Sequence, residues 1–249
     1  MNKSFALLAT ALSLSCAFSS VQPPNVFPRG AVVLFQGDSI THGGRGGDMN
    51  HYLGHGYAAE IAMRYRAYRP EMGVRFFNRA VSGESSKNLL ERWHRDAFPF
   101  SVTEKGYERE FGKGGETLVP DVLSLLVGIN GRRSESEYHT TPEEYAANLV
   151  SLVTNALAAN PRVRIVLGQP FGPNPDADLR ARQQAAERVA HDYGCVFVPY
   201  QRLFDERLMK IVPNVNYWIW DGVHPTYAAH MMMADFWLET VAVASAKSL

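Results

Sequence analysis

The chain has 249 residues, 46% hydrophobic and 20% charged, which suits one globular domain with a substantial core and calls for no second one. Its 25 Lys and Arg balance 25 Asp and Glu, so no basic excess is present to hold a nucleic-acid backbone, and nucleic acid is not an expected partner.

The first stretch reads as a targeting segment. Lys3 supplies a positive start, Phe5 to Leu14 form an apolar core too short to span a bilayer, and Ala17-Phe18-Ser19 fits a small-x-small cleavage pattern. Residues 1–19 are therefore expected to be a signal peptide, and the protein to be secreted or periplasmic with no membrane span. Cys16 raises lipid attachment as a second possibility, ranked lower because Ser13 stands where an aliphatic residue normally does. Cleavage would leave Cys195 alone, and one cysteine makes no internal disulfide. Residues 20–29, with three prolines between Val21 and Arg29, read as a linker, and residues 30–249 as the folded domain.

Ala31 to Phe35 is an unbroken apolar run that gives way to Gln36-Gly37-Asp38-Ser39. Such a run, closed by a turn signal, reads as a parallel strand buried on both faces. Ser39 would stand at its carboxyl end, where open α/β sheets place their ligands. A glycine-rich loop, Gly43 to Asp48, follows, then an amphipathic helix from Tyr57 to Tyr68. Val74 to Asn78 is a second strand, and Asn88 to Phe98 a further helix. Residues 99–118 have no clear period and read as a long, inserted loop. Asp121 to Val127 is a third strand. Thr141-Pro142-Glu143-Glu144 is a capping box with proline at the first helical position; its helix ends at Pro161. Arg164 to Leu167 is a fourth strand. A helix from Leu179 to Tyr193 closes at Gly194, and Cys195 to Val198 is a fifth strand. Pro225 is expected to open the last helix. Strands alternating with helices indicate a three-layer α/β/α sandwich around a five-stranded parallel sheet.

Polar residues gather where strands end: Ser39, Gly83, Asn130 and the loop Asp221 to His224. Each has a plain alternative. Gly-Asp-Ser is a common turn, Gly83 a tight turn, Asn130 a capping residue, and Asp-x-x-His before a helix an N-terminal turn. Together, in this order, they fit nucleophilic catalysis. A serine hydroxyl needs a positioned base. Imidazole suits that role, and an acidic partner fixes its tautomer. Asp221, three residues before His224, can fold back to the ring's Nδ1. Backbone N–H groups of Ser39 and Gly83, with the Asn130 amide, would form an oxyanion hole.

The motif blocks Gly37-Asp38-Ser39-Ile40, Asn78-Arg79-Ala80-Val81-Ser82-Gly83, Gly128-Ile129-Asn130 and Asp221-Gly222-Val223-His224-Pro225 resemble those of the GDSL/SGNH hydrolase superfamily across nearly the whole mature chain. The resemblance implies Ser39 as nucleophile, His224 as base, Asp221 as its partner, and Gly83 and Asn130 in the oxyanion hole. It also implies a flavodoxin-like sheet. The wording around the first and last blocks is similar to bacterial carbohydrate acetyl esterases. One departure is Gly131, where the family usually has an aspartate; looser positioning of Asn130 is expected from it. No Gly-x-Ser-x-Gly elbow is present, which disfavours the α/β-hydrolase architecture.

His42 and Arg45 follow the nucleophile and are candidate substrate contacts, as is Trp220; solvated loop residues are the plain reading of the first two. Of Tyr217, Trp218 and Trp220, two are expected in the core. His51 and His55 have the spacing of metal ligands but lack a third partner, so no metal is expected, and the proposed chemistry needs no cofactor. Met231-Met232-Met233 reads as helix packing. The sequence thus points to a serine esterase that removes small acyl groups, acetyl above all, from a carbohydrate ester. The rivals are a lipase, lysophospholipase or thioesterase of the same family and a catalytically dead glycan-binding module. Oligomeric state is not legible in the sequence.

Overall fold

The computed structural model of the protein describes residues 22–46, 52–102 and 116–247. The expected signal peptide and His51 lie outside them. The strands are β1 (Val32–Gly37), β2 (Arg75–Asn78), β3 (Phe100–Val102), β4 (Glu116–Leu118), β5 (Val122–Leu126), β6 (Arg164–Gly168) and β7 (Val196–Val198). The main helices are α1 (Ser39–His42), α2 (Tyr57–Tyr68), α3 (Ser86–Glu91), α4 (Trp93–Asp96), α5 (Pro142–Ala159), α6 (Ala177–Asp192) and α7 (Tyr227–Lys247).

Five strands form one parallel sheet in the order β2-β1-β5-β6-β7, the doubly wound order of flavodoxin-like folds. They are the five runs expected as strands. All six residues of β1 are buried, because helices cover both faces of the sheet and neither face can alternate with water. Its odd-numbered residues Val33 and Phe35 join one core cluster with α2 and α7. Its even-numbered Val32 and Leu34 join another with α4, α5 and α6. These two cores make the three layers.

Local chemistry accounts for the helix ends. The Thr141 hydroxyl accepts from the Glu144 N–H at 3.2 Å, and the Glu144 carboxylate accepts from the Thr141 N–H at 2.8 Å, the reciprocal capping box expected at α5. Asp176 caps α6 by accepting from the Leu179 N–H at 2.8 Å.

Four expectations are corrected. The helix expected over Asn88 to Phe98 is two short ones, α3 and α4, broken at Arg92. There the guanidinium turns inward to Glu84 (2.6 Å), Gln36 (3.1 Å) and Asp96 (3.3 Å), since a buried cation requires such partners. The inserted stretch is not wholly irregular: β3 and β4 pair antiparallel, Phe100 opposite Leu118 and Val102 opposite Glu116. Phe100, Val102 and Leu118 are buried in the second core cluster. Pro225 does not open the last helix but faces Ile219 in an antiparallel bridge, whose hydrogen bonds come from Trp220 and Thr226 on either side. A residue without an N–H fits there because none is required of it. Finally, Val26 and Phe27, within the stretch read as linker, are buried in the first core cluster. Phe27 meets Tyr65 edge-on with ring centroids 4.7 Å apart; two apolar side chains anchor a segment whose prolines keep it out of the sheet.

Candidate active site

The turn after β1 is set by close approach to β5. At Gly37 φ is +153°, and a Cβ there would collide with the Leu126 carbonyl oxygen, so only glycine lets the strand leave the sheet at this point. Asp38 caps the single turn α1 by accepting from the Ile40 N–H at 3.0 Å. Burial pushes the Asp38 carboxyl up to about 7, opposed by hydrogen bonds from the Ile40, Gly128 and Ile129 backbones and by the charge of His224. Asp38 thus ties the Ser39 turn to the Gly128–Asn130 loop.

The second arm of the site arrives from the far end of the chain. The bridge between Ile219 and Pro225 closes the loop that carries Asp221 and His224. Asp221 Oδ1 accepts from the backbone N–H groups of Val223 (3.0 Å) and His224 (2.7 Å), and its Oδ2 accepts from His224 Nδ1 at 2.6 Å. Burial raises the Asp221 carboxyl, but the hydrogen bonds from the His224 backbone, the His224 ring and the Val223 backbone outweigh it and hold the group below its ordinary value. The anion is therefore the stable form beside the ring. With a proton on Nδ1, the ring's Nε2 is an acceptor, and the Ser39 hydroxyl donates to it at 2.8 Å. Ser39 and the Asp221–His224 pair, far apart in sequence, are one hydrogen-bonded chain.

Ser39 itself and the loops after β2 and β5, the strands that flank β1, carry donors. The Ser39 and Gly83 N–H groups have no acceptor among the described residues. Asn130 Nδ2 donates one hydrogen to the Glu84 carbonyl at 3.1 Å and has a second to offer. Asn78 holds the intervening backbone: its Nδ2 donates to the carbonyls of Thr41 and Leu53, both at 2.8 Å, and its Oδ1 accepts from the Ala80 N–H at 3.1 Å. Preorganised donors of this kind stabilise an oxyanion.

Gly131 has a structural reason. Its φ is +74°, and a Cβ would lie 2.7 Å from the Tyr138 carbonyl oxygen and 2.8 Å from Ser85 Cβ. Its own carbonyl accepts from Thr140 N–H (2.9 Å), His139 Nδ1 (3.0 Å) and the fully buried Arg182 (3.4 Å). Arg182 also donates to the Thr140 hydroxyl and carbonyl and pairs with Asp178. The loop after Asn130 is thus tightly bonded, and the looser positioning expected from a missing aspartate has no counterpart in these contacts. Gly131→Asp, which restores the usual family residue, is expected to destabilise the fold by about 1–3 kcal/mol through backbone strain alone, read as a lower midpoint of denaturant unfolding. An unchanged or raised midpoint would contradict the steric account.

A groove of about 620 Å³ opens beside Ser39 and is lined by His42, Ser82, Trp220 and His224, among others. Trp220 is 65% exposed and lies nearly parallel to the His224 ring, with centroids 5.9 Å apart. His42 lines the groove, and burial, then the Arg45 charge, lowers its pKa. Arg45 is placed differently: it is buried and does not line the groove, and its guanidinium donates to the Ala80 carbonyl at 2.8 Å. It braces the loop leading to Gly83 and is not placed as a substrate contact. Only Trp218 of the three neighbouring aromatics is in the core; Tyr217 and Trp220 are exposed. No described residue of the 99–118 stretch lines the groove. Among the described residues no group of three His, Cys, Asp or Glu side chains could hold a metal ion.

Sequence reasoning missed Arg92 and Glu84, whose ion pair (2.6 Å) lies beside the Gly83 turn, and the groove residues Tyr227 and His230. Charged helical residues ordinarily read as solvated, and nothing local marks Arg92 as buried.

The family model of the GDSL-like lipase/acylhydrolase family matches residues 35–232. An acetylxylan esterase of Geobacillus stearothermophilus is 32% identical over 229 residues, which cover 85% of this chain and 94% of that protein. The crystal structure of Axe2, an acetylxylan esterase from the same organism, superposes with a TM-score of 0.70 at 29% identity, covering 86% of this chain and 95% of that one. The crystal structure of a putative GDSL-like lipase from Parabacteroides merdae does so with a TM-score of 0.73 at 28% identity, covering 88% of this chain and all of that one. With a matching family model over most of its length and a hydrogen-bonded serine and histidine at the sheet's carboxyl end, this chain belongs to the GDSL-like lipase/acylhydrolase family and is a serine carboxylic ester hydrolase.

Proposed function

We propose that the protein removes acetyl groups from carbohydrate esters through an acyl-enzyme on Ser39. The observation that carries this reading is the hydrogen-bonded chain Ser39–His224–Asp221 at the edge of an open groove with an exposed tryptophan face. In the first half of the reaction His224 Nε2 takes the Ser39 proton as Oγ attacks the ester carbonyl carbon. The oxyanion is held by the N–H groups of Ser39 and Gly83 and by Asn130 Nδ2. Collapse breaks the carbon–oxygen bond to the alcohol, which takes the proton from His224. In the second half a water gives its proton to His224 as it attacks the acyl-enzyme, and Ser39 recovers the proton as the carboxylate leaves.

Asn130→Ala is expected to lower kcat by roughly 10²–10³-fold with a smaller change in KM, since an oxyanion donor acts on the transition state. Steady-state kinetics on an aryl acetate read this directly; an unchanged kcat would remove Asn130 from the hole.

The choice of acetate on a sugar is supported by the named activity of the Geobacillus stearothermophilus relatives and by the exposed aromatic faces of Trp220 and Tyr227 in the groove, on which a sugar ring can stack. A lipase reading has one specific support, the Parabacteroides merdae neighbour. Aryl esters of increasing acyl length separate the two: kcat/KM should fall steeply beyond short acyl groups, whereas a rise toward long chains would move the protein to the lipase reading. We propose in addition that residues 1–19 are a signal peptide and that the mature protein acts outside the cytoplasm; support comes from the charge, apolar core and small-residue order alone. No helix among the described residues is long and apolar enough to cross a membrane.

A further inference from the structure

Most of the groove's wall comes from the His224 loop and the start of α7, through Trp220, His224, Tyr227 and His230, with His42 and His55 beside them; Ser82 borders it, whereas Gly83 and Asn130 do not line it. Under the proposed mechanism the acyl oxygen points to Gly83 and Asn130, and His224 hands its proton to the departing alcohol. The groove is then the site of the alcohol half of the ester.

His230 is the buried polar side chain of this lining. It lies in the first turns of α7, is 93% buried by its 7% exposure, and its Nδ1 accepts the Tyr57 backbone N–H at 3.2 Å. Tyr57 opens α2, whose N-cap Gly56 has no side chain to satisfy that end of the helix, and His230 supplies the acceptor. The ring also lies nearly parallel to the Tyr57 ring, 6.5 Å apart and inclined by 15°. With Nδ1 accepting, the neutral ring carries its proton on Nε2. That N–H has no partner among the described residues, although the ring borders the groove. Burial, then the charge of His224, lowers the His230 pKa to about 4, so the ring stays neutral through the range in which esters are turned over. It is a hydrogen-bond donor on a ring held in place through Tyr57, and its open Nε2–H can meet water or a ligand in the groove.

We infer that His230 Nε2–H donates to a hydroxyl oxygen of the sugar that carries the ester, making His230 a specificity residue for a polyhydroxylated alcohol. This rests on the carbohydrate reading above and names a residue and an atom for it. Tyr227, one turn earlier and 73% exposed, and Trp220 offer the apolar faces beside that donor.

Two substitutions separate this role from helix capping. His230→Asn places an amide oxygen near the Nδ1 position and keeps an acceptor for Tyr57, but removes the Nε2 donor. His230→Gln carries an amide N–H out to the Nε2 position and gives up the Nδ1 acceptor. Both are compared with the unmodified enzyme on a mono-acetylated pentopyranoside and on phenyl acetate. His230→Asn is expected to lower kcat/KM for the sugar ester roughly tenfold more than for phenyl acetate, through KM, and His230→Gln to recover most of that selectivity. Equal losses on the two substrates, or a Gln variant poorer in selectivity than the Asn variant, would overturn the inference. Unmodified enzyme that hydrolyses phenyl acetate and not the sugar ester would overturn the carbohydrate reading itself. If neither variant folds, the unmodified protein still decides: an unacetylated xylo-oligosaccharide should shift the His230 Nε2–H resonance, and an unmoved resonance at saturation would rule the contact out.

Discussion

Ser39→Ala is expected to lower kcat on an aryl acetate by about 10⁶-fold, leaving only what the oxyanion donors and substrate binding contribute. The size of the effect follows from the geometry. Under the proposed mechanism Ser39 Oγ bonds to the acyl carbon, and it is held 2.8 Å from His224 Nε2 at the start of α1. Alanine removes that atom and changes little else, because the turn is set by Gly37 and by the Asp38 cap. Thermal unfolding of the variant should therefore stay close to that of the unmodified enzyme. A residual rate within a hundredfold of the unmodified enzyme would mean that another group carries the acyl transfer.

Asp221→Asn should have the next largest effect, about 10⁴-fold in kcat at neutral pH. The amide can still accept the Val223 and His224 backbone N–H groups, so the loop keeps its shape. Its NH₂ group cannot accept from His224 Nδ1. The favourable arrangement then places the imidazole proton on Nε2, so the atom that faces Ser39 can no longer accept a proton, as the proposed mechanism requires of it. The carboxylate is anionic because three hydrogen bonds outweigh the effect of its burial, and those bonds orient the ring as well. Kinetics together with nitrogen NMR of the ring test both halves: kcat falls with little change in KM, and the tautomer switches. A loss under tenfold would show that Asp221 neither orients nor supports His224.

The parts of the molecule legible in the sequence are those with a local signature. The central strands are short apolar runs because they are buried on both faces, β1 and β5 along their whole length. Asp221 and His224 stand three residues apart, and the capping box at Thr141 is contained within four. What escaped the sequence depends on distant contacts. Arg45 follows Ser39 by six residues, and proximity in sequence suggests a substrate contact; in the fold it is buried against the Ala80 carbonyl. Arg92 and Arg182 are charged residues in helical stretches, yet both point inward to brace the loops after Gly83 and Asn130. β3 and β4 are three residues each and pair only across a long intervening stretch, so neither shows a period. His230 looks like any polar residue on the last helix until Tyr57, 173 positions earlier, is packed against it.

The most direct test of the central claim is acetate release from an acetylated plant polysaccharide by the mature enzyme and by Ser39→Ala side by side. Steady release by the first and none above background by the second is the result expected of a carbohydrate acetyl esterase working through Ser39. Release by both, or by neither while the unmodified enzyme still cleaves aryl acetates, would contradict it.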